Sequence, residues 1–147
     1  QVESLTDLAA REVGTLRLAP QQYCKLHYLV ARAAAGAAGL PSEPDMVDQT
    51  LHVEGTFRPR GESSETRFTI RTASAYGQLF EREGRPPHEL RVDTGRAGSI
   101  VTVRRSLGRI FDGVDFAELN QRTAGLQVLR ALVDHAEVEV HEPDGQR

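Results

Sequence analysis

The chain has 147 residues, 39% of them apolar and 27% charged, a size and balance that fit one folded domain around one hydrophobic core and exclude a disordered polymer. With no tryptophan, five phenylalanines and three tyrosines, the core must be built mainly from Leu, Val and Ala, which leaves little for an aromatic platform on which bases could stack. A net charge of −3 and a single cysteine argue against a free nucleic-acid binder and exclude an intrachain disulfide or a cysteine-based metal knuckle.

Two helices are expected first. In SLTDLAAREVGTL, residues 4–16, Leu5, Leu8, Ala9, Val13 and Leu16 recur at helical spacing, and Ser4 with Asp7 three positions on approximates a capping box. The next segment, PQQYCKLHYLVARAAAGAAGL at 20–40, opens on Pro20, where a missing N–H costs nothing, and ends near Gly39 before Pro41. Its apolar face would be Tyr23, Leu26, Val30 and Ala34, and its alanine tail would let a neighbour approach closely. Together the two predict a helical hairpin over 1–40, turning near Leu18 and Ala19. GLPSEPD, residues 39–45, then serves as a connection within one domain.

After Pro44 the period changes to two. TLHVEGTF sets Leu51, Val53 and Phe57 against His52, Glu54 and Thr56, and TRFTIR repeats the pattern with Phe68 and Ile70 inward. The turn-rich RPRGESSE between them predicts an antiparallel hairpin. SAYGQLFERE fits a short helix through Tyr76, Leu79 and Phe80 or a strand through Tyr76, Gln78 and Phe80, and the helix is preferred. HELRV and SIVTVRR flank DTGRAG and predict a second hairpin. In VDFAELNQRTAGLQVLRALVDH, Asp115 and Glu118 form an Asp-led relative of the capping box, and Phe116, Leu119, Leu126, Leu129 and Val133 make an apolar stripe. Gly125 inside this helix costs about 1 kcal/mol relative to Ala and marks a place of close packing. AEVEVHE closes the chain as a strand with Val138 and Val140 inward.

The predicted fold class is therefore α+β: an N-terminal helical hairpin, then a mainly antiparallel sheet of about five strands with one long helix near the C-terminus. The whole, 1–147, is one domain, with the hairpin at 1–40 and the sheet plus helix at 46–147. One sheet face carries His52, Glu54, Arg67, Thr69, Arg71, Glu137, Glu139 and His141 and should be wet or cover a partner. No apolar run reaches the 18 or so residues of a membrane span, and the N-terminus lacks the layout of a signal peptide. With one cysteine, the expected compartment is the cytoplasm.

The candidates for chemistry are thin. His52 and Glu54 on one strand, with Glu139 and His141 on another, would suit zinc if the two strands were neighbours, but alternating polar residues on a solvated strand produce such pairs by chance. Cys24 and His27 lie three apart on the expected helix and would resemble an activated thiol, yet no third residue orients them. DTGRAGS lacks the ending of a phosphate loop, and the serines of GESSE lack a nucleophile elbow. No catalytic residue, metal ligand or cofactor is assigned.

Charge distribution is more informative. Residues 1–57, 58–109 and 110–147 carry net charges of −3, +5 and −5, so the chain has a basic middle between acidic ends, complementary within the fold or between copies. Arg58, Arg60, Arg67, Arg71, Arg104, Arg105 and Arg109 are the candidate contact residues, since arginine suits bidentate contacts to carboxylate or phosphate. Alternation separates Arg104, which joins Ile100 and Thr102, from Arg105, which joins Val101 and Val103. The expected function is a non-enzymatic protein-binding or assembly module, part of a larger complex or a homo-oligomer. The alternatives are phosphate contacts to nucleic acid through the same arginines, or a small enzyme with a site between helices and sheet.

Overall fold

The structure is a computed structural model that describes residues 1–7, 9–23, 25–81, 90–91 and 98–141, with 90–91 described by backbone only. The described residues of 1–21 form neither helix nor strand, and the first elements are the strands β1 (Gln22–Tyr23) and β2 (Lys25–Val30). The expected helical hairpin over 1–40 is thus absent, and tertiary pairing explains why. Within KLHYLV the half-buried residues are Leu26, Tyr28 and Val30, while Lys25, His27 and Leu29 are exposed; this is period two, and aromatic and β-branched side chains favour it. The alanine tail has helical propensity but no large apolar face to bury, and propensity alone leaves so short a helix marginal. It folds instead into turns, with Ala33 bridged in parallel to Val47.

β3 (Leu51–Phe57) and β4 (Thr66–Thr72) pair antiparallel from Leu51↔Thr72 to Phe57↔Thr66, the hairpin that their alternation predicts. The segment preferred as a helix at SAYGQLFERE is a strand, β5 (Tyr76–Glu81), paired antiparallel to β2 from Val30↔Tyr76 to Lys25↔Glu81. A partner strand supplied from some fifty residues upstream overrides the preferred helical pattern in favour of the strand pattern the same residues also fit. β6 (Leu90–Arg91) pairs with β1. β7 (Ile100–Arg105) and β8 (Ala136–His141) pair with each other from Ile100↔His141 to Arg105↔Ala136, which replaces the expected hairpin between HELRV and SIVTVRR. Here the valines match: Val101 faces Val140 and Val103 faces Val138. Of DTGRAG, only Gly98 lies among the described residues. The single five-stranded sheet is replaced by four two-stranded antiparallel ladders among the described residues.

The one α-helix among the described residues, α1 (Gln121–Asp134), packs on β4 of one ladder and on β5 and β2 of another. It starts later than Asp115 implies. Asp115 Oδ1 does accept the backbone N–H groups of Ala117 and Glu118, at 2.9 and 3.3 Å, but Phe116 is drawn into a cluster of aromatic rings, 5.3 Å from Phe57, 4.8 Å from Phe68 and 5.5 Å from Phe111 between centroids. The working cap is Asn120, whose Oδ1 accepts the Thr123 N–H at 3.1 Å and satisfies a donor the first turn would otherwise leave open. The buried stripe is Ala124, Gly125, Val128, Leu129, Leu132 and Val133. With Leu51, Ile70 and Ile110, most of this stripe forms the core, lined by Val30, Val53, Phe68, Tyr76 and other half-buried side chains.

Candidate functional site

The β3–β4 hairpin places four of the seven candidate arginines. Pairing sets Thr56 opposite Arg67, Glu54 opposite Thr69 and His52 opposite Arg71 on the face away from Leu51, Val53, Phe68 and Ile70. Arg67 and Arg71 are exposed there, about 13 Å apart along the strand at ~3.3 Å per residue. Arg58 and Arg60 continue from the end of β3 into the connecting loop; Arg58 pairs with Glu65 across the hairpin at 3.0 Å. Arg60, Arg67 and Arg71 make no ion pair among the described residues.

The other three arginines are engaged. Arg104 lies on the exposed side of β7 and donates to Glu139 of β8 from Nη1 and Nη2, at 3.1 and 3.4 Å. Arg109 is bonded to Asp112 at 3.0 Å. Arg105 turns to the opposite face, where it pairs with Glu3 in a part-buried contact and its charge acts on the hydroxyl of Tyr28. The structure therefore gathers Arg58, Arg60, Arg67 and Arg71 on one hairpin and gives Arg104, Arg105 and Arg109 separate local carboxylates. Tyr28 and Glu3 were not legible as members of a polar cluster. Period-two alternation in KLHYLV is the signal that would have brought Tyr28 inward.

Burial pushes the Tyr28 hydroxyl above its ordinary value of 10.0, with Arg105 opposing the rise and Glu3 adding to it. The folded chain thus keeps this proton when the unfolded chain has begun to lose it. Its contribution to stability is complete below pH 10 and is lost as pH climbs through the higher folded value. Tyr76, whose hydroxyl donates to Asp134 Oδ1 at 3.0 Å, is raised chiefly by that bond and titrates in the same window, so the informative quantity is a difference between variants. Urea unfolding of wild type and Tyr28→Phe from about pH 9 to about pH 11 should show the variant losing less stability over the alkaline limb.

The two histidine–carboxylate pairs stay apart. His52 Nε2 lies 2.7 Å from Glu54 Oε1, and His141 Nε2 lies 3.3 Å from Glu139 Oε2, but no group of three or more His, Cys, Asp or Glu side chains able to hold a metal occurs among the described residues. The His52 ring, expected on a wet face, is only 4% exposed, and its Nδ1, with Thr50 Oγ1 and Gln78 Oε1, is buried without a hydrogen-bond partner among the described residues. Cys24, Arg82, Arg85, Arg96 and the side chain of Arg91 lie outside the described residues. No helix among the described residues is long and apolar enough to cross a membrane. Comparison with family models, with curated proteins and with solved structures gives no match.

Proposed function

We propose that this chain is a non-enzymatic protein-binding module that receives an acidic partner on the outer face of the β3–β4 hairpin. The observation that carries the reading is the contrast among its arginines: among the described residues Arg60, Arg67 and Arg71 have no acidic partner, whereas Arg104, Arg105 and Arg109 are held by Glu139, Glu3 and Asp112. A guanidinium offers a rigid fork that fits a carboxylate through two parallel bonds, and seven paired positions between β3 and β4 hold the stems of Arg67 and Arg71 in fixed register. Preorganised donors lose less freedom on binding than side chains on a flexible loop.

An acidic polypeptide such as polyglutamate is the direct probe, with labelled single- and double-stranded oligonucleotides beside it. Arg67→Glu combined with Arg71→Glu should weaken polyglutamate binding at least tenfold, as like charges brought together at an interface cost several kcal/mol, while the melting curve stays in place. Arg104→Glu with Arg109→Glu should leave binding nearly unchanged. Oligonucleotides retained more tightly than polyglutamate, with affinity falling steeply as salt rises, would replace the protein partner by nucleic acid. Binding of neither probe would remove the proposal.

A further inference from the structure

The N-terminal segment is docked at its end and unattached along its length. The Val2 N–H donates to the Ala38 carbonyl at 2.8 Å. The Val2 carbonyl lies against Gly39, whose φ of +78° and missing side chain make room for it, since a Cβ there would collide with that oxygen. Glu3 pairs with Arg105, their side chains only 25% and 27% exposed, and Leu5 packs against the core. Residues 9–19 behave differently. All are exposed, Val13 at 63% and Leu16 at 84% among them. Their hydrogen bonds are local, from Ala9 and Arg11 to Asp7, between Thr15 and Glu12, and from Tyr23 to Ala19; among the described residues none reaches beyond Tyr23.

A seated end on an exposed tether is the arrangement from which identical segments are exchanged between protomers at little cost, because each native contact is remade in trans. Eleven extended residues reach up to roughly 36 Å, about the diameter of a small domain. We infer that two copies of this chain exchange their N-terminal segments, so that Val2, Glu3 and Leu5 of one copy seat on Ala38, Arg105 and the core of the other. The exchange also explains the tether's composition. In a single copy Val13, Leu16 and Leu18 face water, an unfavourable place for large apolar side chains. In a two-fold exchanged dimer the two tethers cross side by side, and these residues cover one another. The inference goes beyond the acidic-partner reading and rests on different residues.

Charge exchange between two variants tests it. Glu3→Arg and Arg105→Glu each place like charges at the seat, whereas in an exchanged dimer of one with the other both seats regain an opposite pair. Light scattering on a sizing column should give the wild type twice the monomer mass and each single variant the monomer mass. An equimolar mixture, unfolded and refolded together, should return to twice the monomer mass. If either single variant fails to fold, recovery of a cooperative melt in the mixture reads the same complementation. The double variant on one chain should be dimeric like the wild type. A wild type of monomer mass at every concentration, or a mixture no different from its separate components, overturns the inference. Arg67→Glu with Arg71→Glu leaves the mass unchanged, so failure here and failure of the acidic-partner reading are distinct.

Discussion

Truncating Leu129 to Ala lowers the unfolding free energy by about 2–5 kcal/mol, the range for removing a large aliphatic side chain from a site that cannot collapse. Leu129 is fully buried, with Ile70, Val128 and Val133 the other largest side chains at or near zero exposure. It sits on the helix that joins three strands of two different ladders, so a void there loosens β4, β5 and β2 together. Denaturant titration followed by circular dichroism gives the number directly. Leu79→Ala is the matched control: that residue is 49% exposed on β5, and its loss should change stability by only about 0.5 kcal/mol. A loss at Leu129 no larger than at Leu79 would mean that α1 does not organise the core.

That helix was legible in its existence and blurred in its phase. Setting its start at Asp115 makes Phe116 and Leu119 part of the stripe, whereas both precede the Asn120 cap. Once the start moves, the buried positions fall at 124 and 125, 128 and 129, 132 and 133, and only Leu129 and Val133 survive from the expected set. The N-terminal error has another origin. In 4–16 helical spacing is present, but among the described residues only Leu5 of its apolar side packs against the core, and Val13 and Leu16 end in water. Between 22 and 30 a strand partner beats the local pattern. That partner, β5, is itself a segment that fits both patterns and is expected as a helix, so neither error could be corrected from local sequence alone.

The arginines divide along the same line. Which face each one takes follows from alternation inside its own strand, so the outward course of Arg67 and Arg71 and the separation of Arg104 from Arg105 were available from the residues. Which carboxylate answers each arginine depends on tertiary pairing. Glu139 meets Arg104 only because β8 returns beside β7, and Glu3 reaches Arg105 across 102 positions of sequence. A basic middle and acidic ends announce such complementarity without saying where it is satisfied.

Gly125→Val is the substitution expected to strain the fold most, by about 3 kcal/mol, the upper part of the usual range for overpacking. A Cβ at position 125 would stand 2.7 Å from the Arg71 carbonyl oxygen and 2.9 Å from the Thr72 Cβ. Both atoms belong to β4, whose backbone is held by its ladder with β3 and cannot swing aside as a side-chain tip would. Gly125→Ala separates two opposing effects: alanine gains about 1 kcal/mol of helix propensity, while its methyl group pushes α1 away from β4. Stability ordered Gly above Ala above Val shows that the close approach dominates, and an Ala variant more stable than wild type shows that it does not. Since the carbonyl under pressure is that of Arg71, the displacement reaches the residue proposed to contact an acidic partner. Polyglutamate binding by Gly125→Ala should therefore fall under conditions where the variant is still fully folded, a coupling that no surface substitution on α1 would reproduce.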